Sequence, residues 1–339
     1  MQIMNKSTFR ALVVEEQDDG QFARQVRQRP LSDLPDAEVC IRVKYSSLNY
    51  KDALSANGHR GVTKKYPHTP GIDAAGVVFT SKSNRFSPGD EILVTGYDLG
   101  MNTSGGLGDL IAVPADWIVA KPVGLSAWEC MALGTAGFTA ALCLQRLQIA
   151  GLTPTDGEVL ITGASGGVGS IALALLNHLG YRVVAVTGKV ALAGYLKKIG
   201  AAEVLAHSKF TAQANQPLLR ARWAGAIDTL GGTALDAVLK SIKYGGAVAS
   251  CGMAESPELR TNVYPFILRN ISLLGIASAE CNMETRCLIW SKLGGPWRIP
   301  NLTTIVREVD LDEVNPCIDA LLEGTHHGRT VVKLTQDQT

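Results

Sequence analysis

The 339-residue sequence contains no Cys-x-x-Cys pair; its seven cysteines (Cys40, Cys130, Cys143, Cys251, Cys281, Cys287 and Cys317) are scattered. That scatter excludes a four-cysteine zinc lobe and a disulfide frame, and it predicts reduced thiols in a cytoplasmic protein. Aromatic residues are few, at 6%, and the charged residues, at 19%, nearly balance to a formal net charge of +1. So even a balance argues against a broad nucleic-acid surface, and no nucleic-acid-binding motif is present. No signal-peptide core precedes the strand-like run Phe9 to Val14. No apolar stretch reads as long enough to cross a bilayer without interruption, so no membrane partner is expected. What the chain has in plenty is hydrophobic residue, at 46%, enough for two domains with well-buried cores.

One glycine-rich stretch stands out. Thr162-Gly163-Ala164-Ser165-Gly166-Gly167-Val168-Gly169-Ser170 lies between an apolar run, Val159-Leu160-Ile161, and an apolar helix-like segment, Ile171 to Leu176. Strand, glycine turn and helix in that order are what a dinucleotide site requires. The glycines let backbone approach a pyrophosphate, and the helix start offers free N–H groups and a partial positive charge.

The next strand, Tyr181 to Val186, ends in Thr187-Gly188-Lys189, with no acid there. NAD sites usually place Asp or Glu at this strand end to bind the ribose hydroxyls. A carboxylate would repel the 2′-phosphate of NADP, whereas a hydroxyl and an ammonium would hold it. Each charge-assisted hydrogen bond is worth about 1.5–3 kcal/mol. NADPH is therefore the expected cofactor.

The first third of the chain reads as short strands and turns. Val39 to Tyr45 alternates as a half-buried strand does, and Gly76 to Phe79, Glu91 to Val94, Ile111 to Pro114 and Trp117 to Ala120 are further strand candidates. Helix is predicted from Trp128 to Leu133 and from Phe138 to Leu147. From Val159 onward strands and helices alternate, which implies a parallel, doubly wound sheet. The tail returns to strand at Thr304-Ile305-Val306 and from Thr330 to Leu334. The economical architecture is α/β: a β-rich domain built from both chain ends, with a nucleotide-binding domain inserted.

In this order the landmarks resemble the medium-chain dehydrogenase/reductase superfamily, in its zinc-free, quinone-oxidoreductase-like branch. The resemblance spans nearly the whole chain. It is carried by Ser46-Ser47-Leu48-Asn49-Tyr50-Lys51-Asp52-Ala53-Leu54, Pro70 to Gly76, Gly134-Thr135-Ala136-Gly137-Phe138-Thr139-Ala140, the glycine turn, and Tyr244-Gly245-Gly246. Within the branch, Asn49 to Leu54 and Pro265-Phe266-Ile267-Leu268-Arg269-Asn270 resemble the NADPH-dependent acryloyl-CoA reductase group. The resemblance implies a GroES-like catalytic domain over 1–130, a Rossmann NADPH-binding domain over 131–280 and a return segment of the catalytic domain over 281–339. It also implies a homodimer joined through the last nucleotide-domain strand, near 271–277. Zinc-dependent relatives carry Cys where this chain has Asn49, and Gly-His-Glu where it has Gly71-Ile72-Asp73. Ile is no ligand and Asn a poor one, so no metal is expected.

The resemblance further implies that Ser165, Gly166, Gly167 and Val168 wrap the pyrophosphate, and that Thr187, Gly188 and Lys189 hold the 2′-phosphate. Thr139, Cys251, Met253, Ile267 and Ser278 would line the nicotinamide, and Arg329 would reach back to the cofactor. Tyr50 would touch cofactor and substrate, its phenol donating a hydrogen bond or a proton. Asn49 would be a second donor, while Asp52 would brace the loop. Arg60 and Lys64, in a loop punctuated by glycine and proline, are candidates for the phosphates of coenzyme A. The implied activity is reduction of the C=C bond of an α,β-unsaturated acyl-CoA, acryloyl-CoA to propanoyl-CoA. A quinone or alkenal reductase and a non-catalytic NADPH-binding protein are the alternatives.

Overall fold

The computed structural model describes residues 8–334. The first half of the chain forms β1 (Thr8–Glu16), β2 (Phe22–Pro30), β3 (Val39–Leu48), α1 (Tyr50–Ala56), β4 (Asp73–Ser81), β5 (Glu91–Thr95), β6 (Leu110–Val113), β7 (Ile118–Ala120) and α2 (Ala127–Ile149). It continues with β8 (Glu158–Ile161), α3 (Gly167–His178), β9 (Arg182–Thr187), α4 (Ala193–Lys198), β10 (Glu203–Ala206), α5 (His207–Thr211), β11 (Trp223–Asp228), α6 (Gly232–Ser241) and β12 (Ile242–Ser250). The tail is α7 (Tyr264–Arg269), β13 (Ser272–Gly275), α8 (Met283–Leu293), β14 (Val306–Asp310), α9 (Val314–Leu322) and β15 (Arg329–Lys333).

Two compact units result. Among the described residues one comprises 8–135, Ala279–Gly294 and 306–334; the other comprises Ala136–Ser278 and Gly295–Ile305. Residues 295–305, expected in the return segment, thus pack with the second unit. The expected strand at Thr304-Ile305-Val306 is corrected too: Leu302–Thr304 is a 3-10 turn, and the strand begins at Val306.

In the first unit the main sheet has the order β14-β15-β3-β4-β5-β7, with β6 also paired to β3, and β1 and β2 form a separate hairpin. On β3, Val39, Ile41 and Val43 point into a core shared with Leu12, Ile92, Ile111 and Val332. Each such fully buried side chain contributes about 1.5–3 kcal/mol. The β3–β4 register shifts between Cys40 and Ile41 and again between Val43 and Tyr45. After these shifts the alternation is lost, and Ser46, Ser47 and Leu48 are all buried. Two hydroxyls are thereby aimed inward at the strand end that leads to Tyr50.

The second unit is a six-stranded parallel sheet in the order β10-β9-β8-β11-β12-β13. Counted from β8 this is 3-2-1-4-5-6, the doubly wound arrangement in which ligands bind beyond the strand C-termini where the order reverses, beside β8. Leu160, Val184, Val186, Ala226 and Val248 fill the sheet, and Leu235 and Val238 of α6 pack on it.

Helix α2 is by length and composition apolar enough to cross a membrane, contrary to the expectation of no such stretch, but 78% of the qualifying window is buried within the protein. Its helical path is broken at Gly134 (φ 51°, ψ −155°), a conformation open to glycine alone.

Candidate active site

The dinucleotide cradle belongs to the second unit. Gly163 turns the chain out of β8 with φ +59°, and a Cβ there would collide with the Thr229 hydroxyl. The Gly166 N–H donates to the Gly163 carbonyl (2.9 Å), and the Ala164 N–H to the Val186 carbonyl (3.1 Å). The turn is thus tied to β9 before α3 begins. Gly169 packs against the turn so closely that a Cβ would lie 2.7 Å from the Ala164 Cα. By helix geometry the first-turn N–H groups of Gly167, Val168 and Gly169 have no acceptor within α3, which leaves donors and dipole for an anion.

At the ribose end, the Ser165 and Thr187 hydroxyls are 3.1 Å apart, and the Lys189 N–H donates to Thr187 Oγ1 (3.0 Å). Burial lowers the pKa of the Lys189 ammonium below its ordinary value, a penalty that a neighbouring phosphate would offset. No carboxylate occupies Thr187-Gly188-Lys189. The cradle and its cationic end fit a phosphorylated dinucleotide.

Beneath the crevice lies a residue that sequence reasoning missed. Asp228 ends β11 and accepts hydrogen bonds from Thr162 Oγ1 (2.6 Å), the Gly231 N–H (2.9 Å) and Ser250 Oγ (3.3 Å). It ties the C-terminal ends of β8, β11 and β12 together. The only signal was an acid interrupting the apolar run Ala226-Ile227. Cys251 follows β12, its N–H on the Asp228 carbonyl (2.9 Å), and Met253 is exposed. Thr139 donates to the Ser278 hydroxyl (2.8 Å), so two expected nicotinamide neighbours are brought together. Ile267 is exposed on α7, as are Tyr264 and Leu268.

The Tyr50 loop belongs to the first unit. Tyr50 is the first residue of α1, 55% exposed, and among the described residues its hydroxyl has no hydrogen-bond partner. Everything around its backbone, by contrast, is bound. Asp52 Oδ2 accepts from the Asn49 N–H (2.7 Å), and Oδ1 from the N–H groups of Ile72 (2.8 Å) and Gly71 (3.1 Å). Asp52 therefore braces the loop. Burial, and next the charge of Asp73, push its carboxyl up to about 7, although these donors pull the other way.

Asn49 was expected to donate to substrate, and here the structure requires a correction. Its Nδ2 donates to Asp73 Oδ2 (2.8 Å) and lies 3.3 Å from Asp52 Oδ2, while its Oδ1 accepts from Arg329 (3.1 Å). Both ends of the amide are committed inside the unit. Arg329 is corrected for the same reason. It is 2% exposed and donates to the carbonyls of Ala132 (3.2 Å) and Leu48 (3.2 Å), to Asn49 Oδ1 and to Ser47 Oγ (2.8 Å). Its guanidinium is committed to the loop and the elements beside it. Asp73 completes the network by accepting from Ser47 Oγ (2.6 Å), the Thr135 N–H (2.9 Å) and Thr135 Oγ1 (2.6 Å).

Arg60 is also engaged: its guanidinium pairs with Glu16 (2.5 Å), donates to the Lys64 carbonyl (3.0 Å) and lies over the Phe22 and Tyr66 rings. Lys64 is exposed.

Residues 35–123 match the family described as Alcohol dehydrogenase GroES-like domain, and residues 167–291 that described as Zinc-binding dehydrogenase. The chain is 45% identical to the probable acrylyl-CoA reductase AcuI of Escherichia coli K12, covering 96% of this chain and 100% of that protein. It is 44% identical to the putative quinone oxidoreductase YhfP of Bacillus subtilis, covering 96% and 99%. Among solved structures, E. coli YhdH with bound NADPH superposes with a TM-score of 0.92 (45% identity; 96% and 100% covered). B. subtilis YhfP with NAD bound superposes with a TM-score of 0.94 (43% identity; 97% and 100% covered). Despite the second family's description, the donor set around Asn49 does not fit a catalytic zinc. Ile72 offers no donor atom, the Asn49 amide is held between Asp73 and Arg329, and a buried guanidinium would repel a dication.

Proposed function

The chain belongs to the medium-chain dehydrogenase/reductase superfamily, and on that premise we propose that it reduces the C=C bond of an α,β-unsaturated acyl-CoA, acryloyl-CoA first, using NADPH. The observation that carries the cofactor half is the cradle at the ends of β8 and β9, whose ribose side offers Thr187 and the half-buried Lys189 ammonium instead of a carboxylate. The substrate half is supported by the likeness to the E. coli protein named probable acrylyl-CoA reductase.

When bound, NADPH supplies a hydride for the substrate β-carbon. The chain's own residues do the rest. The first-turn N–H groups of α3 hold the diphosphate, and Thr187, Gly188 and Lys189 hold the 2′-phosphate. Thr139 and Ser278 orient the nicotinamide, with Cys251 and Met253 beside it. Tyr50 donates a hydrogen bond to the thioester oxygen, where negative charge develops, and one such donor is worth about 2.7–4 kcal/mol. Tyr50 or water then supplies a proton to the α-carbon. Lys64, exposed and cationic, is available to the phosphates of coenzyme A.

The relative named putative quinone oxidoreductase favours a second reading, a quinone or alkenal reductase using the same hydride donor. An anaerobic assay separates the two: loss of NADPH absorbance with acryloyl-CoA and little with quinones supports the first reading. Brisk turnover of quinones alone overturns it. We also propose a homodimer. β13 ends the parallel sheet with one edge unpaired among the described residues, and Val263, Tyr264, Ile267 and Leu268 are exposed nearby in sequence. An exposed edge of this kind is a template for strand pairing. A solution mass of one chain overturns this part.

A further inference from the structure

We propose that Asp73 and Arg329 are positioning residues that act on Tyr50 through Asn49, packed into the space that the glycine at 134 leaves. The inference rests on the reading of Tyr50 as the substrate's hydrogen-bond donor.

The arrangement of charge is the first argument. A guanidinium and a carboxylate buried for stability pair best directly, through two parallel hydrogen bonds. Here Arg329 donates to neutral oxygens instead, and two neutral groups pass the polarisation on. The Ser47 hydroxyl accepts from Arg329 (2.8 Å) and donates to Asp73 (2.6 Å). The Asn49 amide accepts from Arg329 (3.1 Å) and donates to Asp73 (2.8 Å). Both relays run in the same sense from cation to anion, so within each relay the two hydrogen bonds polarise and strengthen one another. Burying such charges costs several kcal/mol per ion, and apolar replacements are often no less stable. Packing alone gives no reason for the design.

What the network holds is the second argument. Both relays sit at the end of β3, and the second is the residue immediately before Tyr50. The Leu48–Asn49 peptide is gripped on both edges: its carbonyl accepts from Arg329 (3.2 Å) and its N–H donates to Asp52 (2.7 Å). With no partner for its hydroxyl among the described residues, Tyr50 takes its direction from that backbone. The third argument is space. A Cβ at Gly134 would stand 2.5 Å from Asp73 Oδ2, 2.6 Å from Ser47 Oγ and 2.7 Å from Arg329 Nη2. The break in α2 puts a residue without a side chain at the centre of the network.

A double-mutant cycle tests the inference, with the full-length protein and whichever acceptor, acyl thioester or quinone, the wild type reduces. Tyr50→Phe is expected to lower kcat by about 10²–10³-fold. Asn49→Ala is expected to lower kcat at least tenfold with KM for NADPH unchanged. The double variant is expected to be no slower than Tyr50→Phe alone, because both changes remove one function. Ser47→Ala, which removes one relay and leaves Asn49 in place, gives a milder second cycle should Asn49→Ala fold poorly. Losses that multiply in full, or no loss of kcat in Asn49→Ala and Ser47→Ala, overturn the inference and leave the Tyr50 reading standing. Full activity in Tyr50→Phe overturns both.

Discussion

Replacing Gly169 with alanine strikes the dinucleotide cradle where it has least room. The added Cβ would lie 2.7 Å from the Ala164 Cα and nearer still to the Gly163 carbonyl oxygen. Both neighbours are backbone, held by the Ala164–Val186 and Gly166–Gly163 hydrogen bonds, so neither can rotate aside. Carbon contacts settle at roughly 3.5–4.0 Å, and α3 must therefore retreat from the turn by about 1 Å. A hydrogen bond of ordinary length stretched by that amount is no longer one. Two charge-assisted bonds to the diphosphate, at about 1.5–3 kcal/mol each, would be lost. NADPH affinity should fall by roughly 10²–10⁴-fold, measured by titration calorimetry or by fluorescence of the bound nucleotide. Gly194→Ala, on α4 where a Cβ meets nothing within 4 Å, is the matched control and should bind as the wild type does. If the Gly169 variant melts early, Gly166→Ala separates the effects: its Cβ lies 3.3 Å from the Gly163 oxygen, so the fold should hold while phosphate approach is blocked. Unchanged affinity in both variants would refute the assignment of the turn.

Two further outcomes are expected. Lys189→Glu should reduce the preference for NADPH over NADH by about 10- to 100-fold, read as a ratio of dissociation constants; an unchanged ratio removes Lys189 from the 2′-phosphate. Asp52 sets a pH dependence of stability. Its folded carboxyl titrates near 7, against about 3.9 when unfolded. Between these values the folded chain binds the extra proton, so stability falls as pH rises through the window. Relative to Asp52→Asn, the wild type should lose roughly 2 kcal/mol between pH 5.5 and 8.5. The lowered pKa of buried His68 acts in the opposite sense, but it is common to both proteins and cancels. A constant difference across that range would contradict the assignment.

Local features were legible in the sequence, and long-range ones were not. β8, the glycine turn and α3 announce themselves because apolar runs and glycines are adjacent in the chain. β2 was missed because among the described residues it pairs with β1 alone, and its polar side chains give no apolar alternation. Asn49 and Arg329 were misassigned for a common reason. Their decisive partners, Asp73 for Asn49 and Ser47 and Asn49 for Arg329, lie 24 to 282 residues away, and a lone polar residue at a strand end reads the same whether it faces a ligand or a buried carboxylate. The break at Gly134 was visible only as a gap between two helical stretches. Its purpose, space for three side chains from β3, β4 and β15, needed coordinates.

The most direct test is to run the reaction in ordinary water with NADPH deuterated at the transferred position of nicotinamide C4, acryloyl-CoA as acceptor, and mass spectrometry of the product. Propanoyl-CoA with one deuterium, located at C3, and a solvent-derived hydrogen at C2 is predicted. No labelled propanoyl-CoA, with the deuterium found in a reduced quinone when one is supplied, would contradict the assignment.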